Sequence, residues 1–537
     1  MNNQKRWVNG GETTYAGAQP VTSQLFARAV SLHLEGRGDE ALVELERALR
    51  GGEKRAEIYS AIGYIRYERK QYEEAAAAYR RLLELEPDHS SGCFNLALCL
   101  QALEQWQEAA QAFQRAVKAN PKRKEAWLGL GACHLQLGAG APAREAYEYA
   151  LRLDPDSEPA LFGKAVSLQL ERDLTGAGEI YRHILKKNPS SEETFVNLIW
   201  LSSELKDHDN MVKYAERLIE MKPDAIPALQ GLAMAAFTRG DFEKAAEHCG
   251  ALVSYAPDSF EGWFNLGLAY QKSRNLEKAA EVYARAIRLQ PDEPQLYVNL
   301  GIVRQEVGDW KGARDAYEHA LKLHPDSSTA QWNLALVLEK QQELAEAENV
   351  YTRLLKQNPD WDEARFRVGY IRLQLGDYKG SAEAFEQCLA SRKKWPEAQL
   401  NAGLSYWKLG DLDAARDAFR RTIDIDPGST EGLRGLAGIA LERGEVDEAL
   451  DLHNKLIEKG QKSPELLYNT GLLLQKSSRH EEAVKRYREA LDASPEFPEA
   501  QLNLGIALKA LGQEDEARAC WRKALKAKPE LAAGYFE

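Results

Sequence analysis

Asparagine recurs at Asn95, Asn197, Asn265, Asn299, Asn333, Asn401, Asn469 and Asn503, each separated from the next by 34 residues or a multiple of 34. An amide side chain offers donors and an acceptor together, so a row of them can hold the backbone of an extended peptide without reading its sequence. The residue preceding each is often a ring, as in Phe264 and Trp332, and the stretch 328–429 concentrates Trp332, Phe366, Arg367, Tyr370 and Trp407. Aromatic residues with an arginine have the composition of a binding hot spot, and the same rings are of a size to pack between neighbouring helices. A further series runs Lys272, Glu306, Lys340, Gln374, Lys408, Glu442, Lys476. Its alternation reads as ion pairing between neighbours, of small individual value in an exposed setting, with a charged ligand as the other reading. The ten histidines are scattered, and the chain holds no H-E-x-x-H, G-x-S-x-G or P-loop. These residues could do the chemistry of binding, and none forms a recognisable catalytic set.

The elements that must position them follow from the 34-residue period. With Phe260 as position 1, Trp263, Leu266, Gly267 and Tyr270 fall at positions 4, 7, 8 and 11, and Ala279, Tyr283, Ala286 and Pro291 at 20, 24, 27 and 32. Steps of three and four put each set on one face of a helix, so every window predicts two amphipathic helices. Between them lies a polar turn such as Gly240-Asp241, Gly308-Asp309 or Gly410-Asp411, with glycine suited to the left-handed cap and aspartate to the next N-terminus. Small residues at positions 8 and 20 let the two backbones approach. Proline at position 32 stops the second helix: from Pro87 it recurs at every step to Pro359, and after the interruptions at Lys393 and Gln461, Pro427, Pro495 and Pro529 keep its phase.

The pattern resembles the tetratricopeptide repeat (TPR) over residues 22–531. The resemblance implies an all-α fold, a TPR superhelical solenoid of antiparallel helix pairs, because one pair cannot bury its own apolar stripe. The expected organisation is a flexible leader at 1–21, fifteen repeats starting at 22, 56, 90, 124, 158, 192, 226, 260, 294, 328, 362, 396, 430, 464 and 498, and a short tail at 532–537. In the family, positions 2, 5, 6, 9, 12 and 13 line a concave groove. Carried over, this places Asn265, Asn299, Asn333, Asn401, Asn469, Asn503, Phe264, Trp332, Phe366, Arg367, Tyr370, Trp407, Lys340 and Lys408 at a peptide- or partner-binding surface. Asparagine at position 6 also belongs to the family's general pattern, which leaves a structural reading open. The carboxylate clamp that grips chaperone tails is not matched, because Val298, Ile302 and Glu363 stand where it needs Lys, Asn and Lys.

The implied function is a non-catalytic interaction scaffold or adaptor, with a regulatory or targeting subunit of an enzyme complex, or a self-associating scaffold, as the alternatives. Of the 537 residues 44% are hydrophobic and 28% charged, with net charge −12, which argues against nucleic acid or an anionic membrane as partner. No cofactor or metal is expected. Cys93, Cys99, Cys133, Cys249, Cys388 and Cys520 contain no C-x-x-C and fall mostly at core positions, consistent with a reducing compartment and a cytoplasmic location. Three departures stand out. In the window 192–225, Ile199, Met211 and Ala215 replace the small, small and aromatic residues of positions 8, 20 and 24, a compensating exchange or a bend. The run Ser391–Pro396 is a basic, aromatic loop. At the C-terminal end Tyr535 and Phe536 resemble the start of a further unit, leaving self-association, coverage by the tail or a trimmed chain as readings.

Overall fold

The structure, a computed structural model, describes residues 24–535, with side chains to 532. The leader with Trp7 and Tyr15, the start at residue 22 and Phe536 lie outside the described residues. Within them the chain is all-α, with thirty α-helices in consecutive pairs and a short 3-10 helix at Pro529–Tyr535. After the pair Gln24–Leu34 and Gly38–Arg50, the first helices of successive pairs begin at Ala56, Ser90, Lys124, Glu158, Glu192, Ile226, Phe260, Pro294, Ser328, Asp362, Pro396, Thr430, Pro464 and Pro498. The chain divides into two compact units, up to Pro257 and from Asp258. Inside each, every helix packs against the next in sequence.

Local chemistry sets the helix ends. Asp173, Asp207, Asp241, Asp309, Asp377 and Asp411 each accept a hydrogen bond from the backbone N–H three residues on, at the start of a second helix, satisfying a donor that the helix leaves unpaired. The preceding turn needs a positive φ, which glycine supplies at Gly308, Gly376 and Gly410. Arg274, Gln342 and Ser478 take it without glycine, at a cost of about 1 kcal/mol each.

The core of a pair is built around position 24. Tyr79, Phe113, Tyr181, Tyr283, Tyr317, Tyr351, Phe385, Phe419 and Tyr487 occupy it and are fully buried. Position 8 must then be small: a Cβ on Gly267 would come within 2.6 Å of the Tyr283 ring, and one on Gly301 within 2.5 Å of Tyr317. The buried hydroxyl finds an acceptor at the penultimate residue of the first helix, Tyr283 donating to Gln271 (3.1 Å), Tyr317 to Gln305 (3.0 Å) and Tyr487 to Gln475 (2.9 Å). Burial pushes these phenols well above their ordinary range, so they stay neutral donors. His453 holds the same position as a buried ring, its Nδ1 3.2 Å from Thr470 Oγ1.

The departures each receive a packing account. In the pair Glu192–Glu204 and His208–Met221, Ile199, Met211 and Ala215 are all buried, and a Cβ on Gly231 of the next pair would lie 2.8 Å from Ile199 Cγ2. The aliphatic side chain takes up space that a ring fills elsewhere, which is the compensating exchange. In the run Ser391–Pro396, Trp395 turns inward, 9% exposed, while Lys393 and Lys394 face solvent. Pro529–Tyr535 folds as a 3-10 helix in contact with Glu514–Ala527, so the described part of the C-terminal segment does not begin another α-helix. The six cysteines are free, and all but Cys520 are buried. Among the described residues no helix is long and apolar enough to cross a membrane, and no His/Cys/Asp/Glu group could hold a metal ion.

Candidate functional site

Within each unit the first helices of neighbouring pairs touch one another, as Pro294–Glu306 does Ser328–Lys340 and Pro396–Leu409 does Thr430–Glu442, while second helices are spaced further apart. The first helices therefore form the inner side of each stack, and their outward-facing positions form its inner wall.

The asparagines on this wall fall into two groups. Asn299 is buried, accepts from Gln295 Nε2 (2.9 Å) and donates to the Tyr283 hydroxyl (3.4 Å). Asn401 and Asn503 donate to the carbonyls of Glu397 (2.7 Å) and Glu499 (3.0 Å) in their own helices, and Asn503 also to the Tyr468 hydroxyl. Asn265, Asn333 and Asn469 make no side-chain hydrogen bond among the described residues; Asn265 and Asn469 are exposed and Asn333 half-buried. The row is continuous in sequence and interrupted in available hydrogen-bonding capacity.

The aromatic residues separate in the same way. Trp332 stacks on Trp361 with centroids 5.0 Å apart and presents an edge to Tyr351 at 5.4 Å. Phe366 stacks on Trp395 at 4.9 Å and meets Phe385 edge-on at 5.3 Å. Phe264 lies between Phe260 and Tyr283. Trp407 packs on Phe419, donates its indole N–H to Glu442 (2.8 Å), and crosses Gly438 so closely that a Cβ there would lie 2.3 Å from the ring. Trp332, Phe366 and Trp407 thus join one helix pair to the next, while the ring contacts of Phe264 stay within its own pair. Tyr370, one helical turn from Phe366, stands 37% exposed with no hydrogen bond among the described residues. Arg367 reaches back to Glu339 (3.4 Å), which also accepts the Tyr351 hydroxyl (2.6 Å).

The expected ion-pair alternation is not formed. Glu306 pairs with Arg274, and Glu442 receives Trp407, because the guanidinium at the turn and the indole on the first helix of the preceding pair reach those carboxylates. Lys272, Lys340, Lys408 and Lys476 are exposed and lack an ion pair among the described residues. The inner wall at Ser328–Leu409 thus carries a half-buried amide, an exposed phenol and two exposed ammonium groups over a floor of stacked rings.

Sequence reasoning missed the partners that occupy the rings. Trp361, Trp395 and Phe497 each stand just before a first helix and stack on, or tilt against, the ring 29 residues earlier, Trp332, Phe366 and Tyr468. That recurring separation was a usable signal. In the first unit Trp200 and Met234, 43% and 39% exposed, occupy the same repeat position as Tyr370; Met234 carried no signal of its own.

No curated protein matches the chain. Among solved structures, it is similar over 94% of its length to a chain of the Naa15/Naa10 complex bound to HypK-THB, covering 93% of that chain at 14% identity with a TM-score of 0.34. It is similar over 46% of its length to a tetratricopeptide repeat protein from Parabacteroides merdae, covering 98% of that chain at 22% identity and TM-score 0.34, and over 31% to MamA, covering 97% of that chain at 23% identity and TM-score 0.28. Likenesses at these scores carry no argument about partners. Tetratricopeptide repeat models match residues 94–158, 141–192, 231–294, 340–398, 366–430, 400–464 and 468–532, and related ones match 23–47, 56–89, 266–332 and 305–367. With its helix pairs, its small residues at the crossing points and these matches over most of its length, the chain belongs to the tetratricopeptide repeat family.

Proposed function

We propose that the protein is a non-catalytic adaptor that holds an extended segment of a partner protein along the inner wall of Ser328–Leu409. One observation carries this reading: Asn333, Tyr370, Lys340 and Lys408 lack internal partners among the described residues, while Trp332 and Phe366 beside them are fixed by stacking. A floor set by packing costs little ordering on binding, and groups without internal partners gain hydrogen bonds that they otherwise make only to water. The unoccupied amide and phenol suit a peptide backbone, and the two ammonium groups favour carboxylates along one edge of it. The six free cysteines agree with a reducing, cytoplasmic setting.

The test uses a phage-displayed random dodecapeptide library panned on the full chain. Peptides selected by the wild type should bind Asn333→Ala/Tyr370→Ala at least about tenfold more weakly, a loss of roughly 1.4 kcal/mol, with the denaturation midpoint unchanged. Equal affinity for the double variant would remove the inner wall from the reading.

A further inference from the structure

The pair Pro498–Ala510 and Glu514–Ala527 carries an open cavity of about 460 Å³, lined by Gln501, Lys523, Ala524 and Ala527 of the two helices and by Pro495 and Phe497 of the loop before them. Its origin is a departure at position 4. In other pairs a ring at that position stands against the residue at position 26: Trp127 stacks on Tyr149 at 4.5 Å, Tyr297 on His319 at 5.4 Å, and the Arg285 guanidinium lies 5.9 Å from the centroid of Trp263. A donor at position 4 also serves the proline carbonyl six residues earlier. The Trp127 indole donates to Pro121 (2.8 Å), the Gln331 amide to Pro325 (2.8 Å) and the Arg365 guanidinium to Pro359. Here positions 4 and 26 are Gln501 and Lys523. Gln331 is fully buried, whereas Gln501 is half-buried and its side chain hydrogen-bonds the Cys520 thiol. Among the described residues the Pro495 carbonyl accepts no hydrogen bond and Lys523 forms no ion pair.

The cavity therefore asks for what position 4 supplies in the pair Lys124–Leu153, a flat ring that carries a donor. Pro495, Phe497 and the two alanines make apolar walls, and Phe497 is already held against Tyr468 at 4.8 Å, so little ordering is needed to receive a ring. The Lys523 ammonium favours an aromatic face, indole most of all. The Pro495 carbonyl calls for a donor, which a phenyl or aliphatic group lacks. A phenol is the poorer choice, because the Tyr297 hydroxyl at the same position makes no bond to its proline. A guanidinium has donors but meets the like charge of Lys523. We infer that this cavity receives a tryptophan side chain of a partner protein, held as Trp127 is held within its own pair, with the Pro495 carbonyl as acceptor of the indole N–H and Lys523 facing the ring. The site is independent of the inner wall at Ser328–Leu409.

The test is a saturation-transfer-difference NMR titration of the full chain with N-acetyltryptophan amide, beside its 1-methyltryptophan and cyclohexylalanine counterparts. The methyl group removes the N–H and keeps the ring; cyclohexylalanine keeps an apolar ring and removes the π face. The tryptophan compound should bind saturably, with both counterparts at least about fivefold weaker. Gln501→Trp places a ring in the cavity from within the chain and should lose at least about tenfold in binding, with helical circular dichroism unchanged and a denaturation midpoint no lower than that of the wild type. Lys523→Met, which keeps the stem and removes the charge, should lose about threefold, and Tyr370→Ala should bind as the wild type does. Equal binding of either counterpart, undiminished binding by Gln501→Trp or Lys523→Met, or loss in Tyr370→Ala would each overturn the assignment. A several-fold gain in Tyr535→Ala/Phe536→Ala would give the cavity to the chain's own aromatic residues and overturn the assignment to a partner.

Discussion

The helix pair Phe260–Leu289 and the pair Glu192–Met221 solve one packing problem in opposite ways. In the first, Gly267 leaves a gap that Tyr283 fills, and the Tyr283 hydroxyl reaches Gln271 and Asn299. In the second, Ala215 leaves the gap and Ile199 fills it, with Gly231 of the following pair yielding the room that Asn299 uses in the first. What is kept is the volume at the junction of three helices; which helix supplies it is free to change. Close-packed interiors tolerate such volume-conserving exchanges better than losses of volume. The difference also bears on the inner wall, because Asn299 of the following pair donates to the Tyr283 hydroxyl, whereas Gly231 at the same repeat position has no side chain to be held.

The largest effect should come from breaking the tyrosine solution. Tyr283→Ala is expected to cost about 3–5 kcal/mol, the usual range for emptying a buried aromatic site, read as a lower guanidinium midpoint. Adding Gly267→Ile and Asn299→Gly transplants the Ile199/Ala215/Gly231 arrangement and should restore at least about half of that loss. If the triple variant is no more stable than Tyr283→Ala, the two pairs are not alternative fillings of one space.

Next in size is the contrast between stacked and exposed rings. Trp332→Ala removes a half-buried indole from between Trp361 and Tyr351 and should cost about 2 kcal/mol. Tyr370→Ala, one repeat further on, should change stability by less than about 0.5 kcal/mol while weakening the selected peptides. A Trp332→Ala protein as stable as the wild type would return that ring to the ligand.

His453 tests the position with a titratable plug. Burial holds its pKa below the ordinary histidine value, so the unfolded chain takes up a proton before the folded one does. Its contribution is fully present above about pH 6.5 and is lost as pH falls below that, at no more than about 1.4 kcal/mol per pH unit. His134 and His248 are shifted the same way by burial, so the measurement is the difference between wild type and His453→Phe. Denaturation midpoints at pH 7.5 and 5.0 should fall less in the variant; identical falls would show that His453 is protonated in place without strain.

The smallest effect concerns Cys249, which fills position 24 as a small plug and whose thiol burial pushes up to about 12. At pH 8 it should react with a chromogenic disulfide far more slowly than the half-exposed Cys520. Similar rates would mean that the cysteine solution leaves its junction loosely packed.

Much of this fold was legible because its rules are local. Proline at position 32, the Gly-Asp turn and the spacing of small and large residues act within one helix or across one turn, and they mark where the first helices begin, from Ala56 to Pro498. The exchange at Ile199 was legible too, since both halves of it lie in one window. The site was legible only as a set of positions. That Trp332 is spent on Trp361 shows in the sequence only as a recurring 29-residue separation of rings, and nothing within a 34-residue window tells that Asn299 is held by the tyrosine of the preceding pair while Asn333 remains available.

Sequence by itself determined the helices, their order and the family, since backbone preferences and apolar periodicity are properties of short stretches of chain. Tertiary structure alone decided which members of the asparagine, aromatic and lysine series remain available to a ligand, and it gathered Pro495, Phe497, Gln501 and Lys523 around one cavity. The reason is that side-chain satisfaction depends on distances between elements far apart in sequence, which the stacking of helix pairs sets and local backbone preferences do not.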